Sequence, residues 1–405
     1  MAKDTNPPVT KIINCRLIRD KIIYDDVLYL QNGTIIDPLV NFFECGEEPT
    51  RVIDAKGALV APGFIDIQVN GGFGFDFSQC EVGGEQVYVE NMKKIARRLL
   101  KFGCTSFMPT LISSASEVYH KILPLLCPRK GSKNDGAEIL GSHVEGPFIS
   151  YNKKGAHEQS TLHNAPNGFS DIAKVYGISE TGNNHSIRLV TVAPEVEGVM
   201  DSIHDLTRVG ITVSIGHSTA TTEQAEKAVE KGARLITHLF NAMQPFHHRN
   251  PGIIGLLGTT RIPRPYYGII CDGIHVHPNS LRIAYDAHPH GAILVTDAVP
   301  AMGLPPGEHT LGQVRVRKIG NERVEVIETG KLAGAVVSID KCIQNFKKFS
   351  GCSIVQAIEA ATLHPAQLLG IQHRKGTLNV GSDADLVFLD DDLNVITCFI
   401  AGEQV

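Results

Sequence analysis

Apolar positions along the chain change their period twice. Over the first sixty residues they form short, roughly alternating runs, "VTKIINCRLI", "YDDVLYLQNGTII" and "TRVIDAKGALVAPG", the pattern of half-buried strands. Asn32-Gly33 marks a hairpin. The end of the chain, "KGTLNVGSDADLVFLDDDLNVITCFIAGEQV", has the same character. Neither end is long enough to enclose a good core alone. The pattern therefore predicts that residues 1–60 and 371–405 pair into one small, discontinuous β-sandwich domain. Between them, over 61–370, strands alternate with helices. The expected strands are "GFIDIQV", "TSFMPT", "EILGSHVE", "IRLVTVA", "ITVSIGH", "ARLITHLF", "YYGIICD" and "AILVTDA". Each is a short apolar run, as strands covered on both faces must be. In "VENMKKIARRLLKFG", Met92, Ile95, Ala96 and Leu99 share one helical face and Gly103 stops the helix. "STATTEQAEKAVEKGA" opens on hydroxyl caps and ends at Gly232.

Eight such strands over roughly 300 residues predict an α/β fold, a (β/α)8 TIM-like barrel. An open doubly wound sheet is the alternative, but no Gly-x-Gly-x-x-Gly follows a first strand to favour it. "GQVRVRKIGNERVEVIETG" reads as a hairpin inserted after the eighth strand, and "CSIVQAIEAATLHPAQLLG" as closing helices.

Composition narrows the function classes. The 405 residues carry a net charge of −5 without a basic stripe, which argues against nucleic-acid binding. No apolar run reaches the ~20 residues of a membrane span, and "MAKDTNPPVT" lacks a signal-peptide core. Nine scattered cysteines without a Cys-x-x-Cys pair suit a reduced, cytoplasmic protein.

Candidate chemistry lies where the apolar strands stop. "EILGSHVE" ends in Glu145, "ITVSIGH" in His217, "ARLITHLF" carries His238, and "AILVTDA" carries Asp297. In a barrel these ends share one rim. Singly, each has an ordinary structural explanation. Together, an acid, two imidazoles and a second acid suggest a divalent-metal site with a base beside it. Gln68 and Asn70, one residue apart at the end of the first strand, place two amides on the same rim.

At these residues the chain resembles the N-acetylglucosamine-6-phosphate deacetylases of the amidohydrolase superfamily. The segments that carry the resemblance are "PGFIDIQVNGGFG", "HVEGPFIS" with "KKGAH", "SIGHS", "THLFNAM", "DGIH" and "VTDA". The resemblance implies one divalent ion per subunit, zinc in first place with cobalt, iron or manganese as alternatives. Its ligands would be Glu145, His217 and His238. Two-metal relatives carry His-x-His where this chain has Gln68 and Asn70, so a second site is disabled. Gln68 and His157 would orient water or substrate. Asp297 would be the general base and acid. Ala156, Asn241, Ala242, Arg249, His275, Leu332, Ala333 and Gly334 would contact the phosphorylated amino sugar. The resemblance also implies a homodimer in which Arg249 reaches the partner's site. In the last loop the family often has Leu-Ser-Gly-Ser, whereas this chain has "LAGA". Two other outcomes remain open here: a different amidohydrolase on the same barrel, and a scaffold without chemistry.

Overall fold

A strand that is apolar on both faces needs cover on both, and a closed ring of parallel strands wrapped by helices supplies it. The computed structural model describes residues 8–19, 21–40, 43, 48–79, 84–179 and 186–405. Its central sheet runs Phe64–Val69, Cys104–Ile112, Ser142–Glu145, Ile187–Val192, Thr212–Ile215, Leu235–Ile236, Tyr266–Ile270 and Ala292–Val295, each parallel to the next. The eighth strand returns to the first through a parallel bridge between Val69 and Ala298. Two backbone bonds reinforce that seam: Asp297 N–H donates to Gln68 O at 2.9 Å and Asn70 N–H to Ala298 O at 2.7 Å. Ile65, Ile67, Met108, Leu189, Leu235, Ile270 and Ile293, from strands all round the ring, pack into one buried cluster.

The eight expected strands are all present, with two local differences. The third is split into Glu138–Ile139 and Ser142–Glu145 at Gly141, whose φ is +110°. The sixth is regular only over Leu235–Ile236, because the backbone turns at His238 (φ +27°) and Phe240 (φ +76°). The helix Gly84–Leu99 buries Met92, Ile95, Ala96 and Leu99, and Gly103 ends the following turn in the left-handed region. The helix Thr222–Glu230 starts with a reciprocal cap between Thr221 and Gln224.

The inserted hairpin is instead a three-stranded sheet, Gly307–Leu311, Val314–Ile319 and Arg323–Val326. "GEHTL" is mostly exposed and shows little apolar alternation, so its strand character comes from pairing with Val314–Ile319. Both chain ends join one mixed sheet. Leu59–Pro62 pairs with Thr10–Arg19 on one side and with Leu386–Leu389 on the other. That sheet encloses its own apolar cluster, which includes Ile12, Leu17, Leu28, Leu30, Val60, Leu386, Phe388 and Phe399. Among the described residues no helix is long and apolar enough to cross a membrane.

A buried charge cluster ties the base of the third strand to the chain end. Lys375, 4% exposed, meets Glu138 at 2.9 Å, Asp383 at 3.1 Å and also Asp385. Arg374 adds contacts to Glu138 and Asp383. Burial alone would raise the Glu138 and Asp383 carboxyls, but the Arg374 and Lys375 contacts outweigh it and hold both below the ordinary range. Their contribution to stability is therefore full above the unfolded values near pH 4 and is lost as pH falls through the lower folded values. Lys375→Met leaves three carboxylates short of a cation and is expected to cost about 3–5 kcal/mol of stability at pH 7. Denaturant unfolding of the two proteins checks this, and an unchanged midpoint would contradict it.

Candidate metal centre and substrate cavity

Strand ends project the four rim residues inward. Glu145 is the last residue of the third strand. His217, His238 and Asp297 each lie two residues past the ends of their strands, Ile215, Ile236 and Val295. All three have positive φ, +48°, +27° and +50° respectively. Such backbone is unfavourable for non-glycine residues and clusters where a site dictates side-chain direction.

The donor atoms form a tight triangle. Glu145 Oε1 is 3.1 Å from His217 Nε2 and 2.9 Å from His238 Nε2, and the two nitrogens are 3.0 Å apart. His217 Nδ1–H donates to the Lys153 carbonyl at 2.8 Å, so in the neutral ring Nε2 carries a lone pair. His217 Nε2 and His238 Nε2 both face one carboxylate oxygen, an arrangement that needs a proton or a cation between the atoms. Burial would raise the Glu145 carboxyl, but the His217 and His238 hydrogen bonds outweigh it and hold it well below its usual range. Burial likewise works against positive charge on His238, and the Glu145 hydrogen bond outweighs it, raising that imidazole. Both directions favour a charged carboxylate with positive charge beside it. One acid and two imidazoles suit a divalent ion, with the cavity side left open. Glu145, His157 and His217 also lie close enough to share an ion, and a further cluster among the described residues, Glu138, Asp383 and Asp385, already holds the Lys375 ammonium.

Gln68 and Asn70 belong to this network. Gln68 Nε2 donates to Glu145 Oε1 at 3.1 Å and to Asp297 Oδ1 at 3.2 Å. Asn70 Nδ2 donates to the same Asp297 oxygen at 2.6 Å. Burial, followed by repulsion from Glu145, pushes the Asp297 carboxyl up to about 6.

His157 has the opposite tautomer from His217. Its Nδ1 accepts the Ser113 backbone N–H at 3.2 Å, so the proton of the neutral ring sits on Nε2. Burial, with His217 adding, pushes this imidazole down to about 3, so it is neutral. It lies in the same cluster as Glu145 and His217, close enough to share an ion with them, and in this tautomer its Nε2–H is a hydrogen-bond donor.

All of these groups except Gln68, which lies behind Glu145 and Asp297, border a cavity of about 310 Å³, which Ala156, Asn241, Ala242, His275, Leu332, Ala333 and Gly334 also line. His275 Nδ1–H donates to Asp272 Oδ2 at 2.6 Å, leaving Nε2 available to a ligand. Gly334 has φ +59°, and a Cβ there would meet Val299 Cγ1 at 2.2 Å and the Asp297 carbonyl at 2.8 Å. Ala333 and Ala335 are both 1% exposed and sit in apolar clusters, so the missing serine hydroxyls are replaced by packing. Arg249 is exposed and does not border this chain's cavity; its backbone N–H donates to His247 Nδ1. Lys153 and Lys331 line the cavity. Neither was given a role from the sequence, although Lys153 opens "KKGAH" and Lys331 immediately precedes "LAGA". The Lys153 carbonyl and Ser113, which set the two imidazole tautomers, carried no sequence signal.

Comparison with known proteins agrees with this chemistry. The model of the family described as "Amidohydrolase family" matches residues 59–405. The chain is 47% identical to the N-acetylglucosamine-6-phosphate deacetylase of Danio rerio, covering 99% of this chain and 98% of the relative. It is 47% identical to the Homo sapiens enzyme of that name, covering 98% and 95%. Among solved structures it is similar to N-acetylglucosamine-6-phosphate deacetylase from Pasteurella multocida, with a TM-score of 0.81 and 28% identity, covering 98% of this chain and 99% of that one.

Proposed function

The chain belongs to the amidohydrolase family, and from that premise we infer that it hydrolyses the acetamide of N-acetylglucosamine 6-phosphate to glucosamine 6-phosphate and acetate. The observation that carries this reading is the convergence of Glu145, His217, His238 and Asp297 on one small cavity.

Glu145 Oε1, His217 Nε2 and His238 Nε2 would hold one divalent ion, with zinc in first place and cobalt, iron or manganese as alternatives. When bound, it supplies Lewis acidity to a water molecule and to the acetyl oxygen. Asp297 takes a proton from the water as its oxygen attacks the acetyl carbon. The neutral His157 donates its Nε2–H to the acetyl oxygen as negative charge develops there. The protonated Asp297 then delivers its proton to the sugar nitrogen while the C–N bond breaks, because an amine leaves poorly without one. Leu332, Ala333 and Gly334 shape the acetamide end, and Ala156, Asn241 and Ala242 line the sugar. His275 Nε2 would take the phosphate. We also propose a cytoplasmic homodimer in which Arg249 reaches the partner's phosphate, consistent with its place outside its own cavity.

Acetate release from N-acetylglucosamine, with and without its 6-phosphate, tests the reading. Loss of the phosphate is expected to lower kcat/KM by about 10²-fold or more, since buried partners are left unpaired. Equal rates on both sugars, or turnover of cyclic amides instead, would overturn it.

A further inference from the structure

The amide pair at the end of the first strand does more than replace a lost ligand set. Both Nδ2 of Asn70 and Nε2 of Gln68 donate to Asp297 Oδ1, and Gln68 also donates to Glu145. Both side chains are buried, at 3% and 2% exposure. The strand seam holds them there, because Asp297 N–H bonds to Gln68 O and Asn70 N–H to Ala298 O. Asn70 Oδ1, in contrast, is buried with no partner among the described residues. A residue kept for stability alone would satisfy both ends of its amide, or be replaced by an apolar one. Asn70, which borders the cavity, thus engages Asp297 through its donor end alone.

Granted the deacetylase reaction, we propose that Asn70, with Gln68, is a positioning residue for Asp297: the amides tie up Oδ1 and present Oδ2 to the cavity as the oxygen that carries the proton. Two donors on Oδ1 make it the weaker base of the pair. They also fix the carboxylate plane, so that the protonated Oδ2 meets the sugar nitrogen without reorientation. Gln68, between the Glu145 and Asp297 carboxylates, offsets their mutual repulsion with N–H donors, where a second cation would otherwise be needed.

The test is Asn70→Leu, measured on the amide substrate and on the corresponding 2-O-acetyl ester of glucose 6-phosphate, whose oxygen leaving group needs a proton far less. On the amide, kcat is expected to fall about 10²-fold, with KM within a few-fold and one divalent ion per chain retained. The loss on the ester is expected to be at least about tenfold smaller. Asn70→Ala carries the same comparison if Asn70→Leu does not accumulate. Equal losses on amide and ester, a change confined to KM, or unchanged turnover would overturn the assignment. A wild-type protein that leaves the amide intact would overturn the deacetylase reading itself.

Discussion

Asp297→Asn is expected to lower kcat on the phosphorylated amide by about 10³-fold while leaving one divalent ion bound per chain. The substitution hardly changes volume, and Asp297 is not one of the three atoms of the triangle. What it removes is an oxygen able to accept the water's proton and give it to nitrogen. It also faces the donors of Gln68 and Asn70 with an amide that is free to turn a nitrogen toward them. Steady-state kinetics with metal analysis of the same sample checks the result, and a variant within tenfold of wild type would remove Asp297 from the mechanism. The variant also reports on the shared site. Mixed and re-associated with Arg249→Ala chains, it should regain roughly a quarter of wild-type activity, because random pairing makes half the dimers hybrid and repairs one site in each. No recovery would place Arg249 outside the partner's cavity.

Removal of the divalent ion should have an effect of similar size. Chelation is expected to cut activity by about 10³-fold or more, and adding back zinc, cobalt, iron or manganese singly should restore it to different degrees. The physical ground is the triangle itself. Three possible ligand atoms 2.9–3.1 Å apart, all in buried side chains, need a proton or a cation between them, and a divalent ion meets all three at once. Because the ion binds the folded chain, chelation should also lower the thermal midpoint. Full activity in protein without measurable metal would dismiss the metal centre.

Local pattern determined a great deal of this protein. Period-2 and period-3.6 apolar spacing is written in neighbouring residues, so the eight barrel strands and the helices Gly84–Leu99 and Thr222–Glu230 were legible before any coordinates. So were Glu145, His217, His238 and Asp297, because a polar residue ending an apolar strand stands out against its run. Tertiary structure alone decided what those residues touch. The Asn70–Asp297 bond spans 227 positions and exists because the eighth strand closes on the first. The tautomers of His217 and its neighbour His157 follow from a Lys153 carbonyl and a Ser113 amide, groups that nearly every residue possesses and no sequence pattern marks. The strand Gly307–Leu311 and the apolar seats of Ala333 and Ala335 likewise come from partners brought in by folding. Periodicity reports which way a side chain faces relative to its own backbone; hydrogen-bond partners and protonation depend on distances that only ring closure and packing set.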